Sequence, residues 1–400
     1  MKKGLFVLAL VLVTCFLALF VVWDKVIAQP IQITGPSNPY GPGWSRGLGL
    51  DKFYGISGIA AGGQADEAYI VDSGAGKVKQ TKWRAKGAIG GFHNEMEFGD
   101  VSPTAIDNIT FYQGKLYVPD RAKHSILVFN AADGRKETSI GSRGESLGYF
   151  NMPSDIAFDS EGNYYVADTL NNRIQKFNSA GNFQEMGSFP YMPVVSSDHG
   201  YFISPNGVLV NSDGNIWVND PGDKNHPNKR IQVFSPGPLD DYYNKLPKFI
   251  IDIKQVLAGA VGIDVNRLNT VSFSIGRIAN DSNGKVYAVV SAKPENLSGW
   301  LNRILVLNAD GSLFGSITEK DIYPKDVAVF PKGEIWATAQ NKALWNCIKK
   351  YQQSDIALPR FAVPAITAIV GTQKKATGQP APNISPTTKR KSKTLPGIGR

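Results

Sequence analysis

The chain has 400 residues, 42 % of them hydrophobic and 19 % charged, with two cysteines and a net charge of +9. That apolar content excludes a disordered chain, two cysteines exclude a disulfide-built scaffold, and the length is enough to bury a large core without one. The positive charge sits at the ends, in Lys2, Lys3 and Lys25 and in the seven Lys or Arg of 372–400, so Pro30–Gly371 is neutral. A nucleic-acid groove on the body has no compositional support.

Residues 1–29 read as a signal anchor or signal peptide. Leu5–Trp23 is an uncharged apolar run of 19 residues, just long enough to span a bilayer. The lysines before it orient the bulk of the chain outward. Val26-Ile27-Ala28 also offers a cleavage site after Ala28. The body is therefore expected to be membrane-anchored outside the cytoplasm, or secreted or periplasmic if cut. Residues 30–54 form a linker.

A repeat with a period near 48 residues then begins. Its ruler is a short apolar strand read six times: Ala68-Tyr-Ile-Val-Asp72, Leu116-Tyr-Val-Pro-Asp120, Tyr164-Tyr-Val-Ala-Asp168, Ile216-Trp-Val-Asn-Asp220, Val286-Tyr-Ala-Val-Val290 and Ile335-Trp-Ala-Thr-Ala339. The second residue is always aromatic. The last residues are 48, 48, 52, 70 and 49 apart. An apolar strand precedes each ruler and another follows it (Ile174–Phe177 in the third copy), with tight turns such as Glu161-Gly162 and Asp213-Gly214 between. Three strands and a fourth per unit, repeated six times, predict an all-β six-bladed propeller over 55–371, whose circular closure covers most sheet edges. The 70-residue step is too short for a hidden blade, and its surplus reads as long loops. Residues 372–400, with four prolines, seven cations and almost nothing to bury, are expected to form a disordered basic tail. That tail is a solubilising segment or a tether to anionic lipid or wall polymer.

The third copy resembles an NHL repeat. Gly148, Phe150, Pro153, Ile156, Ala157, Asp159, Gly162, Asn163, Tyr165, Val166, Ala167, Asp168, Asn171, Arg173, Ile174, Gln175 and Phe177 match its pattern, and Asp213–Asp220 with Arg230–Phe234 match it in the fourth copy. The other copies are degenerate: the Asp is lost at Val290 and Ala339, and Ser125 replaces the Arg. The resemblance implies the propeller fold and a habit of binding on one face.

Asp72, Asp120, Asp168 and Asp220 end their strands, and Lys77, Arg173 and Arg230 open the next. A carboxylate and a cation flanking a hairpin can pair and hold its loop amides, so these residues read as a structural clamp. Loop length points to function. Pro221–Lys229 and Ser291–Asn302 are longer than closure needs, and so is the connection Phe189–Pro205. They rim one sector with Tyr191, His199, His226 and Trp300, which with Arg173 are the candidate binding residues for a protein, peptide or glycan. Cys347 reads as a small buried hydrophobe.

The alternative is a metal-dependent enzyme with the metal near the central channel. Some propellers of this kind resemble the peptide-amidating lyase, whose zinc is held by histidines; others are calcium-dependent lactonases. The only histidines are His93, His124, His199 and His226, and three would have to converge. No motif calls for a cofactor.

Overall fold

The computed structural model describes residues 53–368, except 87–88, 103–104, 181–182, 190–198, 224, 226–228, 237–246, 269, 295–298, 319–321, 342–345 and 360–365. The export segment 1–29, the tail 372–400 and nearly all of the linker 30–54 lie outside the described residues. Among the described residues no helix is long and apolar enough to cross a membrane.

Six antiparallel sheets succeed one another along the chain. Their inner strands are Ile56–Ala61, Thr110–Tyr112, Asp155–Phe158, Gly207–Val210, Thr270–Asn280 and Ile322–Val329. Next come the ruler strands, Glu67–Asp72, Lys115–Asp120, Tyr164–Asp168, Ile216–Asp220, Val286–Pro294 and Ile335–Asn341. The six inner strands together line a central channel. The protein is a six-bladed β-propeller.

Every residue of Tyr164–Asp168 and Ile216–Asp220 is buried. Both faces of a ruler strand pack on neighbouring blades, so its sequence is a continuous apolar run rather than an alternation. Between strands the chain turns tightly. Asp159 Oδ1 accepts the amides of Glu161 and Asn163, and Gly162 takes φ 82°, which a side chain would resist.

The aromatic ruler residue joins each blade to the next. Tyr69 stacks on Phe111 of blade 2, ring centres 5.8 Å apart, and Tyr117 meets Phe158 of blade 3 at 4.7 Å. Tyr165 packs with Phe202 and Val208 of blade 4, and Trp217 with Ile275 and Ile278 of blade 5. Tyr287 packs with Val327 and Ala337 of blade 6, and Trp336 with Ile59 and Ile70 of blade 1. The last of these interfaces closes the ring.

Three expectations are corrected. Among the described residues blade 6 has three strands and blade 4 has five. After Tyr351 a short turn sends the chain back over its neighbours: Gln353 Nε2 donates to Tyr287 Oη and Gly333 O, both at 2.9 Å. Ala357 then bridges Ser316 on the outer strand of blade 5, and Ile366–Ala368 pairs with the outer strand Phe249–Asp252 of blade 4. Secondly, the surplus of the long step is not all loop. It contains a helix, Ile253–Val261, capped by Asp252, whose carboxylate accepts Gln255 N at 3.1 Å, and closed by Gly262 at φ 72°. Its Val256 and Leu257 are buried between blades 4 and 5. Thirdly, Ser291–Asn302 is largely ladder: Ser291 pairs with Asn302 and Ala292 with Leu301, while the inner strand runs alongside from Thr270 to Asn280. Blade 5 therefore extends past the level at which the rulers of blades 3 and 4 end.

Trp336 is wholly buried at the closing interface. Trp336→Ala should cost about 3–5 kcal/mol in denaturant unfolding, while the same change at exposed Trp300 should cost little.

Candidate functional site

The ruler carboxylates sit where the chain enters each blade. Asp168 accepts Asn151 N at 2.6 Å, Asn171 Nδ2 at 2.8 Å, Arg173 Nε at 2.8 Å and Gln175 Nε2 at 2.9 Å. Arg173 also donates to the carbonyls of Ser146 and Tyr149, and Gln175 ties Gly148 N to Tyr149 O. Blade 4 repeats this arrangement. Asp220 accepts Ile203 N at 2.8 Å and Arg230 Nε at 2.7 Å, while Gln232 holds Gly200 N and Tyr201 O. The clamp therefore pins the segment that enters the blade, rather than chiefly the hairpin loop as the sequence suggested. Burial raises the Asp168 carboxyl above its usual range, with Arg173 and the donated bonds pulling the other way.

Blades 1 and 2 vary the device. Asp72 accepts the amides of Tyr54 and Gly55, and its cation is Lys79, at 3.2 Å, not Lys77. Lys79 occupies the ladder position of Gln175 and is buried, whereas Lys77 turns out to Asp100 at 2.6 Å. Asp120, without an arginine, takes Ser102 N and Oγ and reaches Lys123 at 3.3 Å. In blades 5 and 6, where the Asp is lost, the ruler strand continues in ladder to Pro294 and Asn341.

The channel encloses a cavity of about 240 Å³. Arg277 of the blade 5 inner strand extends into it and donates to Ile59 O, Ile109 O and Thr110 Oγ1. Its guanidinium lies 3.9 Å from both Asp155 of blade 3 and Asp326 of blade 6. Each of these acids is buried and accepts its own following amide. Each also accepts an amide of the next blade, Val208 N at 2.9 Å for Asp155 and Ile59 N at 2.8 Å for Asp326. They staple inner strands together. Burial, opposed by Arg277, pushes Asp155 up to about 6 and Asp326 up to about 7. Neither lines the cavity, whose polar side chains are Arg277, Thr110, Tyr112 and Asn280. The sequence reading missed Arg277 and both acids; the one signal was that Asp155 and Asp326 precede the apolar run before their rulers at matching places.

The proposed binding residues are dispersed. Arg173 is buried and committed to Asp168 and two carbonyls, so it belongs to the interior and not to a ligand surface. His199 is exposed just before the clamped Gly200, and Trp300 is 45 % exposed at the end of the blade 5 extension. Tyr191 and His226 lie outside the described residues. His93 is on the outer strand of blade 1, and His124 Nδ1 accepts Met152 N at 3.1 Å. Among the described residues no group of three His, Cys, Asp or Glu is placed to hold a metal. Cys347 is buried.

Residues 99–220 match the model of a family described as a 6-bladed beta-propeller, DUF5128. Over 137 residues the chain is 30 % identical to the probable peptidyl-alpha-hydroxyglycine alpha-amidating lyase pgal-1 of Caenorhabditis elegans, covering 33 % of this chain and 36 % of that one. The chain thus spans about a third of that relative's length. Among solved structures, a putative gluconolactonase is 13 % identical with a TM-score of 0.48, covering 75 % of this chain and 89 % of that one. A luciferin-regenerating enzyme is 13 % identical with a TM-score of 0.47, covering 78 % and 94 %.

Removing Asp168 leaves the buried Arg173 without its acid, so Asp168→Ala should lose about 3–5 kcal/mol in urea unfolding. The channel acids give a pH signature. Their folded pKa values are raised, so their stabilising contribution is complete below about pH 4 and is lost as pH rises through about 6 and 7. Unfolding free energy measured from pH 5 to 8 should carry this downward component, and Asp326→Asn should flatten it.

Proposed function

We propose that this chain is a non-enzymatic binding module held outside the cytoplasm, its propeller built from NHL-type repeats and its partner a protein or peptide. The observation that carries this reading is the extension of blade 5: three paired strands rise beyond the clamp level and present Trp300 to solvent. A rigid ladder presenting a large aromatic costs little ordering entropy on binding, which is what an interface anchor needs. His199 is exposed where the chain enters blade 4. The central channel supports the reading from the other side, since its one guanidinium is tied to two carbonyls and a hydroxyl. Leu5–Trp23 supplies the anchor, or the export signal if the chain is cut after Ala28, and the basic tail a second contact with anionic lipid or wall polymer.

A benzophenone amino acid placed at position 300 should give a discrete cross-linked adduct in cells. The same group at Lys332, in the hairpin turn at the opposite end of blade 6, should give none. Absence of adducts at 300 would overturn the docking face.

A second reading, a metal-dependent lyase, is favoured by the similarity to the amidating lyase. Metal analysis of the dialysed full-length protein decides between them: stoichiometric zinc or calcium would overturn the binding module, and a metal-free stable propeller is the expected result.

A further inference from the structure

Blade 5 retains the arginine of the clamp without the acid. Arg303 stands opposite Val290 in the ladder, the position of Arg173 opposite Asp168 and of Arg230 opposite Asp220. The glutamine of the pattern is gone too: Leu305 faces Ala288 where Gln175 faces Val166. In blades 3 and 4 the arginine Nε is the atom that meets the carboxylate, at 2.8 and 2.7 Å. In Arg303 that same Nε is buried and has no hydrogen-bond partner. Its guanidinium donates from Nη1 to the adjacent Asn302 O at 2.8 Å. Burial alone acts on its acidity, lowering its pKa with no acid to oppose it. A half-buried guanidinium whose Nε is desolvated and unpaired is costly, and an arriving carboxylate removes that cost.

Further positive charge converges on this side of the blade. Residues directly opposite in a ladder point the same way, so Phe273, Ile275, Val290 and Arg303 share one face. The Lys229 ammonium lies 5.2 Å from the Phe273 ring centre. Burial and the nearby Lys254, in the first turn of the helix, hold the Lys229 amine below its usual range, with the helix-capping Asp252 pulling the other way. The helix packs against the strand that carries Arg303. Arg303 itself is partly exposed, so an anionic group can reach it from solvent, with the two lysines on the same side of the blade.

We propose that Arg303 anchors a carboxylate-binding site, filled by an Asp or Glu side chain or a chain terminus of the partner, in the place of the acid that Val290 does not supply. This rests on the reading of blade 5 as the docking face and names the chemistry it recognises.

The full-length protein is titrated with acetylated triglycine bearing a free carboxyl terminus, with acetyl-Gly-Asp-Gly-amide, and with neutral acetyl-triglycine-amide. At least one of the two acids should raise Tm saturably and the neutral peptide should not; the stronger acid identifies terminal or side-chain recognition. Val290→Asp fills the site from within, so it should raise Tm without ligand and abolish the peptide response. Arg303→Met should weaken the peptide about tenfold or more. A Val290→Asp protein that responds as the wild type does, or a wild type blind to both acids, overturns the proposal. Cross-linking at position 300 separates the two levels: adducts with a peptide-blind Tm mean that the face docks its partner without a carboxylate, and loss of both removes the docking face itself.

Discussion

Everything in this molecule depends on burying both faces of the ruler strand. A single blade has two apolar faces and no core of its own, so each face is stable only against a neighbour. The aromatic at the second ruler position makes that contact, and a fully buried Tyr or Trp removes more apolar surface from water than any aliphatic in the strand. Because the chain is finite, the same requirement forces the last blade onto the first. Trp336 beside Ile59 and Ile70 is therefore the same interaction as Tyr69 beside Phe111, made between residues more than 260 positions apart. The stapling of Ile59 N by Asp326 adds a polar lock at the same junction.

The polar groups are a consequence of that packing. Burying ruler strands on both faces leaves backbone amides exposed to desolvation at the points where the chain enters each blade, where no ladder partner exists. A carboxylate at the strand end collects them, and a cation on the next strand makes its burial tolerable. Asp168 gives the order of influence: desolvation is the largest effect and raises its pKa, and the surrounding donors only partly offset it. Such a site holds geometry and is poorly placed for chemistry, since its lone pairs are already committed. The channel acids obey the same logic one layer further in. Each accepts two amides, and Arg277 is the shared counter-charge between blades 3 and 6.

The fold was legible because the period, the Gly turns and the ruler aromatics are local signals repeated six times. The helix was not found by counting rulers, although Asp252 and Gly262 bracket Ile253–Val261 as an N-cap and a C-terminal glycine would. The partner of Asp72 was misassigned because adjacency to the hairpin favours Lys77; only the ladder shows that Lys79 holds the glutamine position. The extension of blade 5 read as loop because Ala292-Lys293-Pro294 and Gly299-Trp300 have the composition of a loop, and the strand on either side supplies the pairing. Arg277 was invisible for a simpler reason. It stands where its strand shifts register, between Ile275 and Ile278, so no repeat announced it.

Blade 5, like blade 6, lacks the acid of the clamp. With Val290 in place of the acid, the chain entering at the ruler end is a capped helix and a longer inner strand. Packing replaces the polar lock: Val256 and Leu257 of the helix join Val290, Ala292 and Leu305 in one core cluster with Trp217 of blade 4. Arg303 holds the ladder position of the clamp arginine on the face of its strand that carries Leu305 of that cluster. The polar clamp and the apolar cluster are thus two solutions to one problem, the burial of the ruler's end, and in blade 5 the second leaves an arginine whose Nε has no hydrogen-bond partner among the described residues.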